Sequence, residues 1–263
     1  MSIHLLLFAF LFSPVASAFS QVTALPNAHA HNDYRHAHPL QDAMACGFTS
    51  TEADVFFKRG KFMIAHLTPL LKKKGNLETL YLKPLSDSIN RHRGCLYAGY
   101  SEPIILLIDI KTNAERTYAA LKPLLEKYAG ILTRFENGNV IKGAVTIVLS
   151  GNKPYTSLKN ESTRFAFIDE GLLSSEKEDA NICPLTSVRF SDMILKWKGK
   201  GGFPEDEKNT LIAFVNAAHE QGKKVRLWAS PDNKTVWQEL LNCGVDLINT
   251  DDLVGLRDFL LKR

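Results

Sequence analysis

The feature that most constrains the fold is an alternation of short apolar runs with longer amphipathic segments, which begins at residue 27. The runs rich in β-branched or apolar residues are 27–31, 49–55, 61–66, 104–111, 144–150, 164–169, 223–229 and 245–250. Helical periodicity is clearest at 38–46, 114–129, 205–221, 233–242 and 252–262. Strands that alternate with helices are typical of βα units around a parallel sheet. Eight such units in about 250 residues predict a single α/β domain, a (β/α)8 barrel of the TIM type.

The composition suits one globular enzyme-sized domain and gives little sign of a charged partner. The chain has 263 residues, of which 45% are hydrophobic, and a formal net charge of +4. So small a basic excess does not indicate nucleic acid binding. The tightest basic run, Lys72-Lys73-Lys74, is either a solvated loop or a contact with anionic lipid headgroups at a membrane surface.

The first 18 residues have the organisation of a secretory signal peptide. The apolar run at residues 5–12 is too short to cross a bilayer, and it leads to Ala16-Ser17-Ala18, the small-x-small pattern that signal peptidase accepts. No later stretch is long and apolar enough to span a membrane. We therefore expect a mature domain of residues 19–263 that is secreted or periplasmic and has no transmembrane segment.

Two motifs near the start of the mature chain carry chemistry. The period of two along a strand places Glu52 and Asp54 on one face, and it places His29 and His31 together on one face of the preceding strand. Adjacent carboxylates repel each other, which is tolerable on a solvated face or where a divalent cation neutralises both. The motifs are therefore compatible with either a surface strand or a metal site.

The ends of the other predicted strands favour the metal site. In a (β/α)8 barrel the chemistry lies at the carboxyl ends of the strands, and polar residues collect there, including His66, Asp109, Lys111 and Trp228. Asp109 follows a run of five apolar residues, where an unpaired carboxylate would be costly. A cation shared with Glu52 and Asp54 would satisfy it, and so would Lys111.

This ordered set resembles the phosphatidylinositol-phospholipase-C-like phosphodiesterases, which include glycerophosphodiester phosphodiesterases and sphingomyelinase D type enzymes. The matching residues, in chain order, are His31-Asn32, Glu52-x-Asp54, His66, Asp109-x-Lys111, Trp228 and the terminal strand 244–251. The stretch from His31 to Tyr34, together with Pro39-Leu40-x-Asp42-Ala43, is similar to the altered-inheritance-of-mitochondria protein 6 branch of that superfamily.

The resemblance implies a site and a reaction. Glu52, Asp54 and Asp109 would bind one divalent cation, Mg²⁺ or Ca²⁺, and His31 and His66 would be the general acid and base that cleave a phosphodiester. Asn32, Lys111 and Trp228 would contact the substrate, which is a small molecule or a lipid headgroup. The products are those of hydrolysis, or a cyclic phosphate if the attacking oxygen belongs to the substrate.

Several alternatives remain open from the sequence. His29 faces the same way as His31; we prefer His31 as the acid or base because Asn32 follows it, and we assign His29 a supporting role. The barrel could also bind a phosphorylated or sugar ligand without catalysis, or it could be a metal-dependent hydrolase of another kind, since His-x-His also opens amidohydrolase-type metal sites. The chain has Asn32-Asp33 where glycerophosphodiester phosphodiesterases have Arg-Gly, and Leu67 where they have Asp.

Overall fold

A computed structural model describes residues 22–67, 75–171 and 179–263. The predicted signal peptide of residues 1–18 and the basic run at 72–74 lie outside the described residues. Within the described ranges, no helix combines the length and the apolar character that crossing a membrane requires.

The described residues form a closed parallel barrel, as the sequence predicts. The strands are β1 (Leu25–Ala30), β2 (Phe48–Lys58), β3 (Lys61–Ile64), β4 (Ile104–Ile110), β5 (Arg134–Glu136), β6 (Asn139–Ile141), β7 (Val145–Gly151), β8 (Thr163–Arg164), β9 (Ala166–Gly171), β10 (Leu185–Arg189), β11 (Lys224–Trp228) and β12 (Leu247–Thr250). Around the ring the order is β1, β2, β4, β7, β9, β10, β11 and β12, and β12 pairs with β1 to close it. The short strands β5, β6 and β8 form a separate antiparallel sheet.

Helices surround the barrel and begin where side chains can cap them. They are α1 (Gln41–Ala45), α2 (Lys83–Arg91), α3 (Ala114–Glu126), α4 (Tyr155–Asn160), α5 (Phe190–Met193), α6 (Glu205–Glu220), α7 (Lys234–Asn242) and α8 (Leu253–Leu260). The side chains of Asn113, Asn233 and Asp252 accept hydrogen bonds from backbone amides in the first turns of α3, α7 and α8. The five predicted helices are all present, and three more are additional: α2, which continues a π-helical turn at Glu78–Leu82, and the short α4 and α5.

One predicted barrel strand was wrong and another was missed. Residues 61–66 do not join the barrel; β3 pairs antiparallel with β2, after a tight turn in which Arg59 and Gly60 both have positive φ. The missing barrel strand is β10, which has only five residues, of which Thr186, Ser187 and Arg189 are polar. Its pattern is not that of an apolar run because its inward side faces a polar interior.

The inside of the barrel is layered along its axis. On β4 the period of two turns Ile105, Leu107 and Asp109 toward the same side. Leu107 packs with Val148, Leu185 and Leu247 in an apolar layer, whereas Asp109 lies at the carboxyl end of its strand. The apolar layer therefore separates the polar groups at the carboxyl end from a smaller cavity of about 290 Å³ at the amino end.

The first and last strands meet in a parallel seam. Ala28, His29 and Ala30 pair with Ile248, Asn249 and Thr250, and the amide of His31 donates to the carbonyl of Thr250 at 2.9 Å. Residues far apart in sequence are thereby held at one end of the barrel.

Candidate active site

A cavity of about 690 Å³ opens at the carboxyl ends of the barrel strands. Its lining includes His31, Asn32, Glu52, His66, Asp109, Lys111, Ser150, Gly151, Lys153, Asp169, Gly171, Ser187, Val188, Arg189, Asp192, Arg226 and Trp228. Seven of the eight residues that the sequence predicts for the site are in this set, and the eighth, Asp54, lies directly beneath it. The barrel thus brings every predicted site residue to one mouth.

Three carboxylates converge on the wall formed by β2 and β4. One oxygen from each of Glu52, Asp54 and Asp109 lies within 4.8 Å of the others. Oδ1 of Asp54 and Oδ1 of Asp109 are buried and have no hydrogen-bond partner among the described residues. Carboxylate oxygens are the donors that Mg²⁺ and Ca²⁺ prefer. The cluster therefore has both the donor set and the unsatisfied oxygens that a divalent cation would complete.

Lys111 neutralises part of this negative charge. Its ammonium group donates to Oδ2 of Asp109 at 2.8 Å and lies 3.2 Å from Oδ2 of Asp54. Burial raises the pKa of Asp54, and the charges of Glu52 and Asp109 add to that effect while Lys111 opposes it. One lysine thus leaves repulsion among the three carboxylates. It contacts the Oδ2 oxygens of Asp54 and Asp109, so the unpartnered Oδ1 oxygens stay free for a cation.

Gly151, at the end of β7, makes room for Asp109. A Cβ atom at this position would lie 2.0 Å from Oδ1 of Asp109 and 2.7 Å from the carbonyl oxygen of Ile110. The φ angle of Gly151 is also +67°, in the left-handed region that favours glycine. Any larger residue would displace the carboxylate that completes the acidic cluster.

His31 follows the end of β1 and is held by the opposite end of the chain. Its Nδ1 lies 2.9 Å from Oδ1 of Asp251, just beyond β12, and the amide nitrogen of Asn32 lies 3.0 Å from Nε2. A carboxylate on one ring nitrogen fixes the tautomer and leaves the other nitrogen as the basic one. Asp251 is a neighbour that the sequence analysis did not assign to His31.

The sequence predicts that His66 ends a barrel strand, but in the structure it follows the hairpin strand β3. Its Nδ1 lies 3.1 Å from Oδ2 of Asp54 and 3.0 Å from the hydroxyl oxygen of Tyr34. Tyr34 donates to Oδ2 of Asp54 at 2.8 Å. The hairpin thus delivers His66 to the mouth by a different route, and a buried tyrosine connects it to the acidic cluster.

His29 lies one layer deeper and is fully buried. Its Nε2 is 2.8 Å from Nη1 of Arg226, and arginine can only donate, so Nε2 accepts and the proton is on Nδ1, 2.7 Å from Ser50 Oγ. Burial lowers the pKa of His29 to about 4, and the charge of Arg226 acts in the same direction. His29 is therefore a neutral structural histidine, and it does not line the cavity.

Arg226 is the centre of a polar network that sequence reasoning missed. Its buried guanidinium donates to Oε2 of Glu52 at 2.6 Å and to Oγ of Ser187 at 3.1 Å. Burial raises the pKa of Glu52, but the charge of Arg226 opposes that effect, and the pKa lies below its ordinary value. The only signal in the sequence is a charged residue between the apolar Val225 and Leu227.

The two remaining predicted contacts follow β1 and β11, which are two positions apart in the ring of strands. Asn32 is buried with a left-handed backbone, φ 47°, and its side-chain oxygen lies 2.5 Å from the Tyr34 hydroxyl, whose one proton is shared between Asn32 and Asp54. Trp228 ends β11 with 37% of its surface exposed, and the guanidinium carbon of Arg189 lies 5.5 Å from the centre of its ring. Trp228 therefore forms an exposed wall of the cavity rather than a plug.

Solved structures of known function share this architecture. A glycerophosphodiester phosphodiesterase from Agrobacterium tumefaciens matches with a TM-score of 0.51 at 13% identity, over 89% of this chain and 100% of that chain. One from Parabacteroides distasonis matches with a TM-score of 0.54 at 12% identity, over 92% and 99%. At such identity the likeness shows the fold alone. Residues 224–253 also match the glycerophosphoryl diester phosphodiesterase family, so the fold and the sequence together define a member of the phosphatidylinositol-phospholipase-C-like superfamily, as the resemblance predicts.

A larger match identifies the branch. Residues 17–169 match the AIM6-like phosphodiesterase domain, and the chain belongs to that family. The protein named altered inheritance of mitochondria protein 6 is 28% identical in Kluyveromyces lactis, over 94% of this chain and 75% of that protein. Its counterpart in Candida glabrata is 30% identical, over 92% and 72%. The predicted branch is confirmed.

Proposed function

We propose that this protein is a divalent-cation-dependent phosphodiesterase that cleaves a phosphodiester of a small molecule or a lipid headgroup by two-histidine acid-base catalysis. The observation that carries the proposal is the convergence of three carboxylates, with two buried unpartnered oxygens, in the same cavity as His31 and His66. Membership of a phosphodiesterase family supports the reaction class.

Glu52, Asp54 and Asp109 would hold the cation. When bound, Mg²⁺ or Ca²⁺ would supply positive charge to the non-bridging oxygens of the phosphate. Lys111, which is already held between Asp54 and Asp109, would donate to the same oxygens as the phosphate becomes more negative. The substrate phosphate would thus be oriented at the β2 and β4 wall of the cavity.

The two histidines would move the protons. Each has a carboxylate on Nδ1, Asp251 for His31 and Asp54 for His66, so Nε2 of each ring would face the substrate, and Nε2 of His31 would exchange its contact with the Asn32 amide for one with the substrate. One imidazole takes the proton from the attacking oxygen, and the other gives a proton to the leaving oxygen. We expect the rings to lie on opposite sides of the bound phosphorus.

The test is a metal-dependent assay of the purified domain of residues 19–263. The protein is stripped with chelator and assayed on bis-p-nitrophenyl phosphate with Mg²⁺, Ca²⁺, Mn²⁺ or Zn²⁺ added back. Turnover should require an added cation, and Asp54→Asn and Asp109→Asn should abolish that response. His31→Ala and His66→Ala should each lower the rate by roughly 10²–10⁴-fold, the range of a general acid or base.

The proposal would be contradicted if His29, rather than His31, proved to be the catalytic histidine. Full turnover in His31→Ala with an inactive, folded His29→Ala would mean that His29 is the catalytic group. Turnover that is unaffected by chelator would exclude the proposed cation.

We also propose that the protein is exported and that its leader is removed after Ala18, because residues 1–18 have the signal peptide pattern. Sequencing the amino terminus of the protein recovered outside the cytoplasm should give Phe19 as the first residue. An intact terminus on protein retained in the cell would contradict this.

A further inference from the structure

The cavity has a second charged side, formed by Lys153 and Arg189. Four cationic side chains line the cavity: Lys111, Lys153, Arg189 and Arg226. Lys111 and Arg226 are each engaged with the carboxylates of the acidic cluster. Within the described ranges, Lys153 and Arg189 have no carboxylate within ion-pair distance. Two cations that face an open cavity without such partners are available to a ligand.

Arg189 lies across the mouth from the acidic cluster, and Lys153, which follows β7, lies between the two. In the order of strands around the barrel, β10 is four strands from β2, and β11 is four strands from β4, so each pair is diametrically opposed. Arg189 ends β10, and the ammonium of Lys153 reaches over the end of β9, 3.8 Å from where a Cβ of Gly171 would stand. A ligand that extends from the β2 and β4 wall toward β10 therefore passes Lys153 and reaches Arg189, on a side that also carries Asp169 and Asp192.

Trp228 holds Arg189 in place for such a contact. The guanidinium lies over the indole ring, within the distance of a cation–π interaction. A guanidinium that is stacked on an aromatic face keeps its N–H donors directed outward, and these donors match phosphate and carboxylate oxygens. Burial raises the pKa of Asp169, and the charges of Arg226 and, to a smaller extent, Lys153 oppose that effect.

From this arrangement we infer that the substrate is a phosphodiester whose alcohol portion carries a second anionic group, a phosphate or a carboxylate, bound by Lys153 and Arg189. This inference rests on the proposed phosphodiesterase function and deepens it. With the diester phosphate at the β2 and β4 wall, the alcohol extends across the mouth and its anionic group lies against β10 and the Lys153 loop. A neutral headgroup would leave Arg189 without a counter-charge, and Lys153 with only the charge of Asp169, which is beyond ion-pair distance.

The test compares two substrates that differ only in one terminal phosphate, glycerophosphoglycerol and glycerophosphoglycerol phosphate. The wild-type protein should favour the phosphorylated diester in kcat/KM by about tenfold or more, as expected for charge-assisted hydrogen bonds in a half-open pocket. Lys153→Met and Arg189→Met should each lower that ratio severalfold. The matched control is Lys224→Met, an exposed lysine at the opposite end of the barrel, which should retain the wild-type ratio.

The same pair with acyl chains, presented in detergent micelles, distinguishes a lipid headgroup from a deacylated substrate. A wild-type ratio near one in both forms, or a ratio that survives both substitutions, would overturn the inference.

A binding measurement separates this inference from the proposed reaction. Inorganic phosphate is titrated in chelator, so that the acidic cluster cannot bind it through a cation, and the change in tryptophan fluorescence, to which the exposed Trp228 contributes, reports the contact. Saturable binding in wild type and in Lys224→Met, lost in Lys153→Met and Arg189→Met, supports the anion site even if no diester is cleaved. The absence of any binding and of any substrate preference refutes the anion site, whatever the outcome of the metal-dependent assay.

Discussion

The buried pair of Glu52 and Arg226 predicts a large and non-additive effect on stability. The two side chains are 5% and 4% exposed, and Nη1 of Arg226 lies 2.6 Å from Oε2 of Glu52. Removing Arg226 leaves the Glu52 charge buried without its counter-ion, and removing Glu52 leaves Arg226 with only the carboxylate of Asp169, 3.7 Å away. Breaking a buried pair in this way costs roughly 3–5 kcal/mol. Glu52→Gln and Arg226→Met should therefore each lower the unfolding free energy by about that amount and the midpoint of thermal unfolding by roughly 6–20 °C. From the sequence alone, Glu52→Gln is expected to leave stability almost unchanged; the pairing revises that expectation.

The assay is urea unfolding in chelator of wild type, both single variants and the double variant. The double variant leaves neither charge unpaired, so its loss should be smaller than the sum of the two single losses by roughly 2–3 kcal/mol. Glu136→Gln provides a matched control, because its ion pair with Arg134 is exposed and should contribute less than about 1 kcal/mol. Additive losses, or single losses as small as that of the control, would refute the argument.

Three further predictions concern single positions. Gly151→Ala should lower turnover by about 10–100-fold because its Cβ displaces Asp109. The control is Gly60→Ala, which has the same sign of φ and open space around it and should lose only stability. Equal turnover in the two variants would contradict this prediction. Burial raises the pKa of Asp33 to about 6, so its contribution to stability is present at low pH and lost as pH rises from about 4 to 6. Relative to wild type, the free energy of unfolding of Asp33→Asn in urea should therefore rise by on the order of 2–3 kcal/mol between pH 4 and 7. His29→Ala should lower the unfolding free energy far more than it lowers the rate per folded molecule, and a fully stable but inactive variant would oppose the structural role.

The sequence predicts the barrel well where strands are uniformly apolar on the outer face and end in a functional residue. Residues 104–111 are the best case, since β4 is buried against helices on one side and ends at Asp109. The prediction fails at β10, whose inward residues are polar, and at β3, whose apolar pattern is that of a hairpin strand as much as of a barrel strand. Periodicity reports which side of a strand is buried but not which partner covers it.

The candidate site was predictable in its members and not in their pairing. Glu52, Asp54 and Asp109 follow from strand ends and carboxylate chemistry, and the structure brings them together. Arg226 does not follow, because its partners come from β1, β2 and β10, and nothing local indicates that a charge within an apolar strand will be neutralised there. Likewise, Asp251 becomes the neighbour of His31 only when 220 positions of chain have closed into a ring.

That closure has a consequence for how the protein would lose function. His31 is held by the hydrogen bond of its own amide to Thr250 and by the carboxylate of Asp251, so its orientation depends on the zipping of two strands that are the most distant in sequence. Loop-closure entropy makes contacts of this range slow to form, and strands at the limits of a domain are among the first to separate in local opening. Transient parting of β1 from β12 would release the histidine while the other six strands remain paired. Heating or mild denaturant should then abolish activity before circular dichroism records any loss of helix. Activity would therefore report the pairing of β1 with β12 rather than the folding of the whole barrel.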